Sequence, residues 1–471
     1  MANEGLKSIH ITNYYHKNSG GISTAYNRLL EAANRHRRFV RLIVPGERDA
    51  QEEVGGYGRI YYVKANYSPL FDKRYRLMLP WKTYIFNETP IRRILREEQA
   101  DIVEIGEKYS LSLLAGLIHK GFFKSLGRPM LVHFSCERMD DNLRAFVSGA
   151  KLFRWFARRF MGNYIFPMFD YHLANSNYTA QELLDSVDAN KSQYRSDIFF
   201  NFCWRFFRAS QLPAEERVFV NQCGVDNELF TVERKNEVTR REVLTEAGFP
   251  ENATVLLYAG RISPEKNIKL LPKILRSLLK FYNLDSQRRE YRLLIAGDGP
   301  KTDWLKQKLE QYAPGKFKIL GYVADREKLA DIYANADIFI HPNPREPFGI
   351  APLEAMASGL PVIAPKSGGV LSYANDENAW LEEPASEDYF AAVQDILNNE
   401  ERRVMKIKNA LDIVREYTWE NSTDRLFTLY DNIYKDFCLQ RELHVYESEN
   451  KKINFAEERV FNGKAAGLRL K

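Results

Sequence analysis

Cysteine is scarce. The chain of 471 residues holds four, Cys136, Cys203, Cys223 and Cys438. None forms a C-x-x-C pair, which excludes a cysteine zinc ribbon, a thioredoxin-type redox pair and a disulfide framework. No apolar run approaches the ~18–20 residues that a membrane span needs. The opening stretch MANEGLKSIHITNYY has no basic-then-apolar leader pattern, so the expected compartment is the cytoplasm. No G-x-G-x-x-G follows the first strand signal of either half, which argues against a dinucleotide dehydrogenase. No Ser-His-Asp arrangement is visible, and no carboxylate pair can be placed on two sides of a glycosidic bond, which lowers the case for a hydrolase. No repeat of ~20–50 residues suggests a solenoid or propeller.

What is present describes a soluble globular protein: 45% hydrophobic and 28% charged residues, in a length that fits two or three domains. The charge is uneven. Residues 1–230 carry 32 Lys+Arg against 25 Asp+Glu, a net of +7, leaving 36 against 37 for the remainder. The excess fits either an anionic partner for the first half or a solvated surface of mixed charge. The balance of +6 is modest and no nucleic-acid module is visible, so no nucleic-acid partner is expected.

The second half reads as short apolar runs at 254–260, 291–299, 317–323, 337–342 and 361–365, with helical stretches between them. Near-continuous apolar strands alternating with helices imply a parallel sheet covered on both faces. Leu271, Ile274, Leu275 and Leu278 fall at helical spacing, and Pro272 predicts a helix beginning near it. The first half repeats the rhythm, with strands expected at 8–15, 39–46, 59–65, 100–106, 129–135, 171–176 and 217–225. Helices are expected at 22–34, 87–98, 110–121 and 177–187. The fold class is therefore α/β, with two doubly wound, Rossmann-like domains facing across a cleft. Ligands in such sheets sit at the carboxyl ends of the strands. The expected divisions are 1–230, 231–417, a helix over 418–439 that crosses back to the first domain, and a charged extension over 440–471.

One string carries most of the chemistry: PNPREPFGIAPLEAMASGLPVIAPKSGG, residues 342–369. Glu346 falls in the loop after a strand and Glu354 in the first turns of the next helix. Gly349 lets backbone approach a ligand closely. Free N–H groups near Phe348, Gly349 and Ile350 suit an anion or polar hydroxyls. Glu354 behind them suits a ribose diol. Arg261 and Lys266 lie between a strand end and the next helix, where guanidinium and ammonium groups meet the charge that develops on a diphosphate leaving group. No D-x-D pair is present, in agreement with transfer that needs no metal. Gly20 and Gly21, between the first strand and first helix, offer open backbone to phosphates or sugar.

These segments resemble retaining glycosyltransferases of family 4, which have the GT-B fold. The string above resembles the family's E-x7-E segment. YAGRISPEKN (258–267) resembles its G-R-x-x-x-x-K-N segment, and IAGDGP (295–300) its G-D/E-G-P turn, with Gly297 at the donor. NQCGVDNELF (221–230), SGGISTAYNRL (19–29) and NSNYTAQELL (175–184) follow further family segments in order. NQCGVD departs from the pattern, with Gln222-Cys223 where a single residue normally precedes the glycine. The likeness spans about residues 8–435. It implies a hexosyltransferase that keeps anomeric configuration by front-face attack and uses no cofactor or metal. By the resemblance, Arg261, Lys266, Glu346 and His133 are catalytic, with His133 in the cleft at the end of its strand. Gly20, Gly21, Phe348, Gly349, Ile350, Glu354, Gly297 and Val323 bind the donor, Val323 near the base. A uridine donor is favoured, with GDP-mannose as the other candidate.

The acceptor is a hydroxyl compound, a lipid or growing glycan, expected on the first domain. KLFRWFARRFMGNYIFPMF (151–169) alternates basic and aromatic residues, with Leu152, Phe153, Phe156 and Phe160 near one helical face. It suits either a peripheral contact with the inner face of an anionic membrane or ordinary packing on the domain. A non-catalytic nucleotide-sugar sensor on the same fold is the competing function. Intact Glu346, Glu354, Arg261 and Lys266 argue against it.

Overall fold

The computed structural model describes residues 5–16, 20–68, 75–123, 125–147, 149–193, 198–210, 212–281 and 289–466. Ser19 of the first loop motif and residues 467–471 lie outside them. The chain divides into two compact units, Met1–Asp424 and Arg425–Lys471, and the first contains both large sheets.

Ten strands come first: β1 (Ser8–Ile11), β2 (Val40–Gly46), β3 (Ala50–Val54), β4 (Gly58–Lys64), β5 (Asn66–Tyr67), β6 (Arg76–Leu77), β7 (Ile102–Ile105), β8 (Met130–Ser135), β9 (Tyr171–Ala174) and β10 (Val218–Val220). Eight of them form one sheet in the order β10-β9-β8-β7-β1-β2-β4-β3, while β5 and β6 make a separate ribbon. The ladders are parallel except at the edge, where β3 runs against β4. Strands β1 and β7 are buried along their whole length, as a sheet covered on both faces requires. Their three polar members meet, with His10 Nδ1 2.9 Å from Glu104 Oε1 and His10 Nε2 3.0 Å from Ser8 Oγ, so none is left unsatisfied. The sequence AQEEV of β3 shows no apolar pattern and was not expected as a strand. It forms a short, exposed, acidic edge, which discourages pairing with another chain.

The second sheet contains β11 (Ala253–Ala259), β12 (Glu290–Ala296), β13 (Phe317–Gly321), β14 (Ile338–Ile340), β15 (Val362–Pro365) and β16 (Trp380–Glu382). Its order is β13-β12-β11-β14-β15-β16, parallel throughout. Alternate residues of β11 feed two cores. Val255, Leu257 and Ala259 pack with Leu353 and Met356, whereas Leu256 and Tyr258 pack with Leu271, Ile274 and Leu278. The helix bearing that second set starts at Leu270 and places Pro272 in its first turn, where the missing N–H costs nothing. Strand order reverses between β11 and β14, which opens a crevice at their carboxyl ends. Arg261 follows β11 and Glu346 follows β14, so two of the sequence's candidates sit at the lips of that crevice.

Two helical segments have features that apolar spacing alone did not define. The 151–169 segment is regular over Lys151–Phe160, then opens into one wide turn at Met161–Ile165 before Phe166–Met168. Pro167, which has no N–H to donate, lies just beyond that turn. The last helix runs unbroken from Trp419 to Ala466, through the residues read as a separate charged extension. Its first residues belong to the unit that holds the sheets. There Arg35 Nη1 lies 3.3 Å from Glu420, His36 Nε2 2.8 Å from Asp424, and Ser422 donates to the Gln222 carbonyl at 2.6 Å.

Candidate active site

Glu346 and Lys266 form the centre of the crevice. The turn Pro264–Lys266, after β11, aims the lysine across at the loop that follows β14. Lys266 Nζ donates to both carboxylate oxygens of Glu346, at 2.7 and 2.8 Å. Asn343 Nδ2 donates to Oε2 at 2.9 Å, and Asn343 Oδ1 accepts from the Arg345 N–H at 3.1 Å, which fixes the amide. Burial alone would raise the Glu346 pKa. The Lys266 charge, His341 and the two side-chain hydrogen bonds override it and hold the carboxyl at about 2. His341, one strand end away, is pushed the other way by burial, to about 4, and stays neutral.

Arg261 stands beside this pair. Its Nη1 lies 3.9 Å from Glu265, its carbonyl accepts from the Tyr258 hydroxyl at 2.9 Å, and its guanidinium carbon sits 5.2 Å from the centre of the Tyr75 ring. Tyr75 comes from the first half of the chain, so the cation spans the cleft.

The loop from Glu346 to the helix Ile350–Ala357 is shaped by Gly349. That residue has φ +91, a left-handed conformation that disfavours a side chain, and an added Cβ would come within 2.9 Å of the Tyr373 hydroxyl. The same hydroxyl donates to the Gly349 carbonyl. Phe348 is buried against Tyr373, with ring centres 5.3 Å apart, and acts as the wedge under the loop. Ile350 opens the helix. Glu354, one turn in, accepts from the Tyr333 hydroxyl at 3.2 Å. Its carboxyl keeps a little contact with solvent, yet burial raises its pKa to about 7, against the pull of Arg326 and Tyr333. Two carboxylates with seven residues between them are thus driven in opposite directions.

The first half of the chain closes over this surface. Gly20 and Gly21 begin the helix Gly21–His36, and a Cβ on Gly21 would lie 2.8 Å from Ile350 Cδ1. One turn later Thr24 Oγ1 accepts from Arg326 at 3.4 Å. Arg28 of the same helix is paired with Asp226, which also caps its own turn by accepting from the Leu229 N–H at 3.2 Å. Ser176 donates to the Pro347 carbonyl, and Arg345 Nε lies 3.4 Å from Asp141.

The remaining sequence candidates fall at varied distances from this centre. Gly297 lies against Gly260 so closely that a Cβ would meet its carbonyl oxygen, which makes it a packing glycine between β11 and β12. Val323 follows β13 and packs on the core under Glu354's helix. His133 does not join the group. It is the fourth residue of β8 rather than its end, fully buried, with its ring 5.2 Å from Phe169 and Nδ1 3.3 Å from His172 Nδ1. Burial and the nearby Lys108 keep it neutral, well below the ordinary histidine range. The resemblance implied a place in the cleft; in the structure the strand is buried on both faces, and the histidine is enclosed within the sheet among Phe169 and His172. Sequence reading missed Asn343, Arg326, Asp141 and Tyr333. An asparagine set between Pro342 and Pro344, three residues before Glu346, was the available signal for the first. The others are distant in sequence and carried none.

Comparison with known proteins adds names to this geometry. Residues 239–412 match the family model described as glycosyl transferases group 1. The D-inositol 3-phosphate glycosyltransferase of Corynebacterium kroppenstedtii is 30% identical over 210 residues, 42% of this chain and 44% of that protein. The Arabidopsis thaliana sulfoquinovosyl transferase is 28% identical over 50% of this chain and 44% of its own length. The chain therefore spans under half of these two relatives. A GDP-mannose-dependent alpha-mannosyltransferase of Corynebacterium glutamicum is 25% identical over 88% of this chain and 86% of that protein. Among solved structures, the sucrose-phosphate synthase of Thermosynechococcus elongatus superposes with a TM-score of 0.63 at 18% identity, covering 91% of this chain and all of that one. The Anabaena protein HepE, in complex with UDP and glucose, gives 0.61 at 16% identity over 90% and 100%. These likenesses establish the GT-B fold.

Proposed function

We propose that the chain, whose residues 239–412 match the group 1 glycosyltransferases, moves a hexose from a nucleoside diphosphate sugar to a hydroxyl acceptor with its anomeric configuration kept. The observation that carries this reading is the Lys266–Glu346 pair beside Arg261 at the switch point of the second sheet. In the reaction the acceptor oxygen bonds to the anomeric carbon as the bond from that carbon to the diphosphate oxygen breaks. The acceptor's proton passes to the departing phosphate oxygen on the same face, so no enzymic nucleophile is required. Arg261 and Lys266 meet the charge that collects on the diphosphate, and the N–H groups after Gly20 add to it. Glu346, ionised at any ordinary pH, orients hexose hydroxyls by accepting their protons in hydrogen bonds and holds Lys266 in place. Glu354 accepts from the ribose diol. The closure of Gly21, Tyr75 and Ser176 over the site excludes water and positions the reactants.

The donor is a UDP- or GDP-linked hexose. Relatives whose names state GDP-mannose dependence cover most of this chain, which sets GDP-mannose beside the UDP-hexoses. Among the described residues no helix is long and apolar enough to cross a membrane. The exposed Leu152, Trp155 and Phe156 on the basic helix Lys151–Phe160 support a peripheral contact at the inner face of a membrane, where a lipid-linked hydroxyl is the acceptor.

The test is release of UDP or GDP from a donor panel with and without EDTA. Lys266→Ala is expected to cut turnover by about 10²–10³-fold while the donor still binds. Wild-type turnover in a folded Lys266→Ala variant removes this lysine from the mechanism. A protein that binds donor yet releases no nucleotide with any hydroxyl acceptor is the sensor.

A further inference from the structure

The helix Ile198–Phe206 is apolar on two opposite faces. Phe200, Cys203 and Phe207 are buried in the first half's core, as one amphipathic helix requires. Phe199, Phe202 and Phe206 stand on the other side at 60%, 58% and 44% exposure. Three phenylalanines at i, i+3 and i+7 form one stripe, and leaving such a stripe in water is costly enough that it marks a contact surface.

The stripe is connected to the basic helix Lys151–Phe160. Phe156 lies 6.1 Å from Phe160, Phe160 5.2 Å from Tyr164, Tyr164 5.8 Å from Phe207, and Phe207 5.1 Å from Phe206. Phe206 in turn stacks on Phe202 at 5.9 Å. A run of rings thus joins Phe156 of the basic helix to the second stripe by way of the buried Phe207. The two segments themselves are basic. Residues 142–169 contain five Lys and Arg and no Asp or Glu, and residues 198–213 contain Arg205 and Arg208 and no acid, with acids only beyond their ends, as at Asp140, Asp141, Asp170 and Asp197. Lys120 places its ammonium 4.5 Å over the Phe206 ring, and Arg159 sits 5.3 Å over Trp155. Exposed aromatic rings with cations over them match an anionic lipid interface: rings enter the acyl boundary and cations meet the headgroup phosphates.

We propose that the helix Ile198–Phe206 is a second membrane-inserting element, which docks the first domain on an anionic lipid surface together with Lys151–Phe160. The inference rests on the peripheral contact proposed above and adds a site that no sequence motif marked. Two anchor points fix the protein's orientation on the bilayer where one helix leaves it free to roll. The cleft is then held at a constant height over the surface from which a lipid-linked acceptor is drawn.

Co-sedimentation of the full chain with phosphatidylcholine vesicles, with and without phosphatidylglycerol, tests this. Wild type is expected to bind only the anionic vesicles. The triple change Phe199→Ser, Phe202→Ser, Phe206→Ser is expected to weaken binding by about tenfold or more. Arg154→Glu with Arg158→Glu is expected to do at least as much. Thermal stabilisation by nucleotide, measured on each variant, separates lost docking from lost folding. If wild type ignores anionic vesicles, the membrane reading falls with this one. If only the Arg154/Arg158 variant loses binding, the contact stands and the second element is refuted. A concentration-dependent dimer that the phenylalanine variant abolishes, with vesicle binding intact, assigns the stripe to a second copy and also overturns the proposal.

Discussion

Glu346 and Glu354 illustrate how placement decides what a carboxylate does. Both are surrounded by protein, but only Glu346 has a cation and an amide aimed at it. It stays ionised, with its pKa held at about 2, so its contribution to folding is present above the unfolded carboxylate value of about 4.5 and is lost as pH falls toward 2. Removing its partner strands the charge. Lys266→Ala is expected to lower stability near neutral pH by about 1–3 kcal/mol, discounted for the lysine's partial exposure, and Glu346→Gln in the same chain should recover part of the loss in a urea melt. Glu354 is the reverse case. Its folded pKa of about 7 exceeds the unfolded value, so folding favours the protonated form and the stability it contributes fades as pH rises from about 4.5 to 7. In the proposed complex ribose hydroxyls donate to the carboxylate, so nucleotide affinity is expected to rise by about tenfold between pH ~6 and ~8. Glu354→Gln should flatten that profile in a binding titration, and an unchanged slope would assign the titration to another group.

At the scale of elements, the second sheet was legible because its strands are buried on both faces and announce themselves as apolar runs. All five expected there appear, within a few residues of their limits. The strand β16 was missed since Trp380–Glu382 is too short to carry a pattern, and β3 because an exposed edge has no apolar period. The site was legible where chemistry is local. Glu346, Gly349 and Glu354 lie within one loop and helix, and Arg261 and Lys266 within one turn. It was illegible where the fold brings distant residues together, as with Asp141 and Arg345, or where the covering of both sheet faces encloses a polar side chain, as with His133. The same reasoning makes Gly21 testable. Its Cβ position abuts Ile350 across the cleft while the helix itself leaves room, so Gly21→Val should obstruct closure rather than folding. The expected result is a loss of kcat/KM of about tenfold or more with a melting temperature near wild type, measured by nucleotide release and calorimetry. A large fall in melting temperature instead would make Gly21 a packing residue.

At the scale of the molecule, the two sheets of the first unit are held face to face by few and mostly polar contacts. Arg28 meets Asp226, Arg326 meets Thr24, Arg345 meets Asp141, and Ser176 meets the Pro347 carbonyl. Partly exposed pairs of this kind are individually weak, which suits the opening and closing that the proposed transfer requires. Asp141→Arg is expected to open the cleft, raising the radius of gyration in solution scattering and the KM for donor. Adding Arg345→Asp, which restores opposite charges at the same distance, should reverse both.

The central claim is that the crevice between β11 and β14 binds a nucleoside diphosphate hexose through Arg261, Lys266 and Glu354. Calorimetric titration of UDP-glucose and GDP-mannose into wild type, Lys266→Ala and Glu354→Ala, each with and without EDTA, tests it most directly. The account predicts saturable binding of one donor by wild type, indifferent to EDTA, with Glu354→Ala weakened about tenfold or more by loss of the ribose contact. Absence of binding for both donors, or one affinity shared by all three proteins, would contradict it.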